Sequence, residues 1–393
     1  MKNLSLNFNK SKWKSVKLGD LVNEISNRID NPRDSSYDHF VGLDNFISGD
    51  LKIKSRTDTR NIVSSAKSFK AGDILFARRN VHLRRASNVD FDGCCSGDAF
   101  VLRPNKDKVN PKFLVFLLNS NSLWDYAISE AAGTMSKRVK WRDLSKFTFF
   151  LPPNDIQIKL SNLLWETNKI IEDYYGVVDN LKELYQAKIE KSVPKNGNKY
   201  WTLSKIINIR RGITYKSSDY SNKNDGIPLL NLKCIKIGGG FNNSGIKYFK
   251  GNANKEYYAK NSDLIIACTD ITRRGRVVGY PLHYSAYIDK KILFTMDLAA
   301  ISIIGDELSR DYLYYVLKAN WVHWILFAHS PGTTVLHLDV DGFKKIKLPK
   351  IDKNSQKKIV SDLKLLEINI EKNENRIKET KSLQKKIINE IFS

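Results

Sequence analysis

Along two stretches of the chain, apolar side chains recur at alternating steps of four and three. The first seam runs through Ile156, Leu160, Leu163, Thr167, Ile170, Tyr174, Val177, Leu181 and Leu184. The second runs through Ile359, Leu363, Leu366, Ile370, Asn373, Ile377, Thr380, Gln384, Ile387 and Ile391. A period of 3.5 held over four or more heptads predicts coiled-coil helices rather than helices lying on a globule. The polar members Asn373, Thr380 and Gln384 cost stability but can fix register and partner. Asp155 and Ser355 are the expected N-caps, and Leu-Pro at 151–152 and 348–349 stops the strand before each helix. Elsewhere the pattern changes to short apolar runs. Residues 73–77, 147–151, 263–268 and 299–304 predict strands, 111–118 and 311–318 predict helices, and loops rich in Gly, Asn and Ser, such as 237–245, separate them. The apolar run at 321–328 includes His323 and falls far short of the roughly 18 residues needed to cross a bilayer.

The same landmarks occur twice, in the same order. Trp13 is answered by Trp201, 188 positions on, and Asp73 by Asp263, 190 on. Gly133-Thr134 is answered by Gly332-Thr333 at an offset of 199, and Leu151-Pro152 by Leu348-Pro349 at 197. Offsets that drift only by loop-sized insertions indicate a tandem duplication. The expected organisation is a first domain over 1–153, a long helix over 154–195, a second domain over 196–349 and a second long helix over 350–393. A chain of 393 residues accommodates this comfortably.

Charge sharpens the division. The formal net charge is +23, and with 41% hydrophobic residues this is a folded basic chain, not a disordered tail. Residues 1–154 carry a net +10 and residues 194–347 a net +11, against -2 over 155–193 and +4 over 348–393. The globular domains are therefore the candidate polyanion binders. Their basic residues cluster beside loops. Arg78, Arg79, Asn80, Arg84 and Arg85 follow the strand at Asp73, while Arg273, Arg274 and Arg276 follow its counterpart at Asp263. A second set follows the Gly-Thr landmark: Thr134, Lys137, Arg138 and Lys140 in the first copy, Thr333 and Thr334 in the second. A third lies near each domain's start: Arg28, and Arg210, Arg211, Tyr215 and Lys216. Arginine forks can take guanine O6 and N7 bidentately or hold phosphates.

Catalytic chemistry is not legible. Asn31-Pro32-Arg33 and Pro152-Pro153-Asn154 do not form the Asn-Pro-Pro-aromatic pattern of an adenine methyltransferase, and Gly238-Gly239-Gly240 is expected to be a turn. No GxxxxGK[ST] loop is present. Cys94, Cys95, Cys234 and Cys268 contain no CxxC pair and are expected to be buried thiols, and the histidines lack metal or triad spacing. Asp270 with Asp289-Lys290-Lys291 mimics the acidic and DxK spacing of a metal-dependent nuclease, but DxK also occurs at Asp50 and Asp362. The tryptophans are expected in the domain cores. The N-terminal MKNLSLNFNKSKW has no apolar signal core, which makes the cytoplasm the expected compartment.

A repeat of globular domain, Gly-Thr, Leu-Pro, glutamine (Gln157, Gln356) and heptad helix resembles the specificity subunit of type I restriction-modification systems. The resemblance implies an α+β protein with two tandem mixed α/β target-recognition domains. The two long helices would form an antiparallel coiled coil, with pseudo-twofold symmetry. It further implies that each domain reads one half of a bipartite site in double-stranded DNA. Two methyltransferase subunits, which bind S-adenosylmethionine, would dock on the helices, and a motor-nuclease subunit would join them in the full complex. The chain itself would bind no cofactor or metal and have no catalytic residue. A helix of about 37 residues is about 55 Å long, or roughly 16 base pairs. The alternative reading is a stand-alone DNA methyltransferase or metal-dependent nuclease with duplicated DNA-binding domains; a third is a coiled-coil adaptor whose charge serves RNA or a membrane surface.

Overall fold

The computed structural model describes residues 8–284 and 291–393. The chain divides into two compact units, Met1–Gly176 with Asn373–Ser393, and Val177–Lys372. The divisions fall within the two long helices, Asn154–Ser192 and Lys353–Phe392, so each unit contains one globular domain and a part of both helices.

The first unit is built on a four-stranded antiparallel sheet in the order Val22–Ile25, Ala99–Pro104, Ile74–Ala77, Ala86–Asn88. The strand expected over 73–77 begins one residue late, because the Asp73 carboxylate turns back to accept the Lys70 amide at 2.8 Å. Arg103 grips the same carboxylate with two bonds of 2.7 Å. All four residues of Ile74–Ala77 are buried, which is why the segment reads as an unbroken apolar run rather than an alternation. A five-stranded sheet lies in the order Arg28–Ile29, Ala66–Phe69, Gly93–Ser96, His39–Val41, Thr57–Asp58, with the pair Gly93–Ser96 and His39–Val41 parallel. The ribbon Lys14–Lys17 with Thr148–Leu151 leads the chain into the first long helix. Phe76, Phe100, Phe113, Phe116 and Trp124 fill the core together with Leu164 and Ile391 of the long helices.

The second unit repeats this plan. Its sheet runs Ile207–Arg211, Leu298–Ile303, Leu264–Ala267, Pro281–Leu282, and the ribbon Tyr200–Thr202 with Lys347–Pro349 leads into the second long helix. Asp263 accepts the Lys260 amide at 2.8 Å as Asp73 does that of Lys70. The duplicated landmarks are thus duplicated structure, and Trp13 and Trp201 are both buried at the ribbons. Gly238, Gly239 and Gly240 all have positive φ and form the expected turn. All four cysteines are buried and free, and burial pushes the Cys95 thiol up to about 12.

Within each unit the two helix segments pack antiparallel. In the first, Gln384 donates to the Leu164 carbonyl at 3.1 Å and the Arg376 guanidinium lies over the Tyr174 ring, 5.7 Å from its centroid. In the second, Lys188 pairs with Asp362 at 2.8 Å. There the Glu367 carboxylate also accepts from Tyr185 (2.6 Å), Tyr315 (3.0 Å) and Lys318 (3.1 Å). Burial, which would raise Glu367, is outweighed by Lys318 and these donors, and the carboxylate sits below its usual range.

The second helix keeps its expected seam, with Leu363, Ile377, Gln384, Ile387 and Ile391 buried and Ile359, Leu366 and Ile370 partly so. The first helix requires a correction. Leu160 is buried and Ile156, Tyr174 and Leu181 partly so, but Leu163, Ile170, Val177 and Leu184 are 52%, 48%, 44% and 53% exposed. The side chains buried instead are Leu164, Ile171, Val178 and Tyr185, one position on. The sequence offers two adjacent apolar residues in each heptad, and the helix turns the second of each pair inward. The caps differ as well: Asp352, not Ser355, accepts the amides of Asn354 and Ser355 at 2.9 and 3.0 Å, and Asp155 lies within its helix's first turn.

Both helix starts are braced by the same buried side chain. Gln157 accepts the Asn110 amide at 2.9 Å and donates to the Pro152 carbonyl at 2.8 Å; Gln356 accepts the Ser309 amide at 2.8 Å and donates to Glu307 and Ile351 carbonyls. Replacing Gln157 by alanine would strand a buried amide and carbonyl. The expected loss is about 1–3 kcal/mol, read as a lower urea midpoint, whereas the exposed neighbour Lys159→Ala should stay within about 0.5 kcal/mol.

Candidate nucleic-acid interface

In the first unit, the strand Ile74–Ala77 runs from the Asp73 turn at one end to the arginine turn at the other. That turn is held open by two non-glycine residues in left-handed conformation, Asn80 (φ 53°) and Arg84 (φ 49°). Such residues cost of order 1 kcal/mol each and persist only where their surroundings enforce them. Here Arg84 bonds Asn121 at 2.8 Å and Asp125 at 2.7 Å, both on the helix Asn121–Ser129.

The Gly-Thr loop closes against this turn. Asn80 donates to the Lys137 carbonyl at 2.8 Å, Val139 donates to that of Arg78 at 3.1 Å, and Ala132 and Arg138 exchange both backbone bonds. Gly133 has φ 115° and lets the tip fold, leaving Thr134 and Met135 in solvent. Two clusters more than fifty residues apart in sequence therefore form one surface. Between them, Asp98 receives Arg79 at 3.2 Å and Arg138 at 2.9 Å. Burial would raise the Asp98 carboxyl, but the hydrogen bonds from Arg138 and Arg79 hold it below its usual range. Both guanidinium forks are thereby oriented with donors to spare.

The second unit places the equivalent turn beside its own Gly-Thr loop, through Thr269–Asp270 pairing with Leu336–His337. The buried Asp270 carboxylate accepts the Thr272 amide at 2.8 Å and the Val277 amide at 2.7 Å, clamping the turn between them. Gly275 (φ 58°) is pressed so closely on Phe327 that a Cβ there would lie 2.2 Å from its ring. This mounts the turn on the helix Asn320–Ala328, the counterpart of Asn121–Ser129. Arg273, Arg274 and Arg276 are exposed and form no ion pair among the described residues. Gly332 carries the tip, with Thr333 and Thr334 exposed.

The remaining candidates lie apart or serve the fold. Arg85 is buried and donates to the Leu43 and Arg79 carbonyls, holding the turn from inside. Arg210 pairs with Asp263 and donates to the Glu256 carbonyl. Arg211 donates to Met296 at 3.3 Å, Arg28 pairs with Asp30 on the five-stranded sheet, and Lys140 is exposed just before the helix Trp141–Leu144. Tyr215 sits against Tyr220, whose hydrogen bond pushes its hydroxyl up to about 12, and Lys216 is exposed. Asp98, Asn121 and Asp125, which orient the arginines, carry no local signal in the sequence because each acts across long separation. Trp324 departs from the expected core placement and is 70% exposed.

The nuclease-like spacing gains no support from Asp270, whose carboxylate is spent on backbone amides; Asp289 and Lys290 lie outside the described residues. No group of metal-ligating side chains occurs among the described residues, and no helix there is long and apolar enough to cross a membrane.

The chain is thus a duplicated α+β domain in which an arginine turn lies beside a Gly-Thr loop in each copy, and in each unit segments of the two long helices pack antiparallel. The chain matches the type I restriction modification DNA specificity domain over residues 10–190 and again over 195–382, and it belongs to that family of specificity subunits. It is 25% identical over 185 residues to the HindI specificity subunit of Haemophilus influenzae, covering 45% of this chain, and 25% identical over 179 residues to the EcoDI specificity subunit of Escherichia coli, covering 44%. Each match spans 40% of the relative's own length. Among solved structures, one of a type I restriction-modification system aligns with a TM-score of 0.60 at 21% identity, covering 97% of both chains. The S subunit from M. genitalium aligns with a TM-score of 0.57 at 15% identity, covering 99% of this chain and 98% of that one. These share the fold.

Proposed function

We propose that this chain is the non-catalytic DNA-recognition subunit of a type I restriction-modification complex, each globular domain reading one half of a bipartite site in double-stranded DNA. The observation that carries this reading is the recurrence of one construction in both copies: an arginine turn and a Gly-Thr loop locked together by backbone bonds, at the same end of the same strand. Phosphate contacts from the basic surface supply salt-dependent affinity, and a few of the oriented forks read base edges. The long helices set the gap between the half-sites.

Methyl transfer belongs to partner subunits, taken to be two, which bind S-adenosylmethionine and act on an adenine flipped from the duplex. A motor-nuclease subunit completes the complex, and the compartment is the cytoplasm. The exposed apolar positions Leu163, Ile170, Val177 and Leu184 support a docking role for the first helix. Leu163 and Ile170 in the first unit, and Val177 and Leu184 in the second, are each a pair of half-exposed aliphatic side chains seven residues apart that a partner helix covers, at about 25 cal/mol per Å² of apolar surface. The experiment is methyl transfer to adenine in duplex DNA by the purified chain, with and without the methyltransferase encoded in the same gene cluster. Activity only in the mixture is expected. Methylation or cleavage by the chain alone contradicts the reading and favours the stand-alone enzyme.

A further inference from the structure

The arginine turns occupy one end of the strands Ile74–Ala77 and Leu264–Ala267. At the other end, beside Asp73 and Asp263, each unit has a cleft. In the first unit it holds about 740 Å³ and is walled by Pro104, Asn110, Pro111, Lys112, Ile158 and Ser161. In the second it holds about 490 Å³ and is walled by Ile303, Ser309, Arg310, Asp311, Lys357 and Val360. Each residue of the second set lies 199 positions after its counterpart in the first. The two clefts are the same site, made twice by the duplication.

Their walls are held by the same brace. Gln157 and Gln356 each accept the amide of the wall residue, Asn110 or Ser309, and donate to carbonyls at the entry of the long helix. The cleft is therefore a stable feature and not a gap between loosely packed loops. Its chemistry is cationic with an apolar wall. In the first copy Lys70, Lys106 and Lys112 surround it, and its one wall carboxylate, Asp73, is already neutralised by Arg103. Ile158 is 41% exposed within it. In the second, Arg310 and Lys357 outnumber Asp311, and Val360 supplies the apolar contact.

The geometry points to these clefts as paired docking sites for the methyltransferase: each takes one acidic, apolar-anchored segment from one copy of that subunit. The assignment rests on the specificity-subunit reading and deepens it. Three observations select this occupant. A site repeated by gene duplication suits two copies of one partner. Its positive charge suits an acidic segment. Its position, across the strand from the arginine turn, separates it from the surface assigned to DNA.

The test uses the full chain co-expressed with the methyltransferase of its own gene cluster, with subunit stoichiometry read by native mass spectrometry. Ile158→Trp and its repeat counterpart Lys357→Trp each place an indole in one cleft, and Lys112→Glu reverses a charge in the first without adding bulk. Each tryptophan variant is expected to carry one methyltransferase per chain, the double variant none, and Lys112→Glu to weaken uptake at one site at least tenfold. DNA binding and thermal unfolding of the isolated chain should not change. Two methyltransferases retained by the double variant, or a loss of DNA affinity in its place, would overturn the assignment while leaving the specificity-subunit reading intact. A wild-type chain that takes up no methyltransferase would sink both.

Discussion

Replacing Arg273, Arg274 and Arg276 together by alanine is expected to abolish recognition of one half-site and leave the other at full strength. The three side chains stand on a turn clamped by Asp270 and seated on Phe327, and no carboxylate among the described residues competes for them. Their loss removes contacts without disturbing the mount. A bidentate base contact is worth about 1–3 kcal/mol, so even two of the three reading bases implies a loss of about thirtyfold or more in affinity for the cognate site. Any that hold phosphates instead should each flatten the dependence of log K on log salt by about 0.9. Binding-site selection on the variant distinguishes the cases. Information should vanish from one block of the motif only. Equal decay of both blocks would contradict modular reading. The same experiment in the first unit is less clean, because Arg79 and Arg138 share Asp98 and Arg85 is internal to the fold; removing them is expected to cost stability as well as affinity.

The second large effect concerns the gap. On the proposed reading the helices Asn154–Ser192 and Lys353–Phe392 act as a ruler, and their packing repeats every seven residues. Seven residues inserted into each, at Gly176 and at Lys372, preserve the heptad register on both sides. They add about 10.5 Å of helix at 1.5 Å per residue, roughly the rise of three base pairs. The favoured spacer should lengthen by about three base pairs while the half-site sequences stay unchanged. Selection from a library of spacer lengths measures this directly. An unchanged spacer would mean that the helices do not set the distance. An insertion of four residues in one helix alone breaks the seam and is expected to destabilise the protein instead.

Much of this organisation is legible in one sequence, for a physical reason. Duplication makes weak signals reinforce each other: Gln157 alone is an unremarkable polar residue, but Gln356 recurs at the start of the second long helix, only two residues farther from its own Leu-Pro, and marks both as parts of one brace. Asp73 and Asp263 identify equivalent turns in the same way. The heptad of the second helix survives because Leu363, Ile370 and Ile377 each stand between polar neighbours, which leaves one choice of face in its middle. In the first helix the pairs Leu163-Leu164, Ile170-Ile171, Val177-Val178 and Leu184-Tyr185 satisfy the period equally well in two registers, and only packing decides between them. The site is legible to the same degree. The arginine clusters and the Gly-Thr loops are visible as separate features of charge and turn chemistry. That they form one surface depends on backbone bonds from Asn80 to Lys137 and from Arg78 to Val139, and that their forks are oriented depends on Asp98. Such long-range pairings leave no local mark. Nor does the difference between Arg85, which is buried and supports the turn, and Arg79, whose side chain is 40% exposed beside Asp98: neighbouring residues of the same type divide into structural and partly available members only when the fold is complete.

The most direct test of the central claim is binding-site selection from random duplex DNA by the wild-type chain assembled with its methyltransferase, at two salt concentrations. The account predicts two short sequence blocks separated by a gap of fixed length and no sequence preference, with both blocks retained as affinity falls at the higher salt. A single uninterrupted motif, or no motif once the salt is raised, would contradict it.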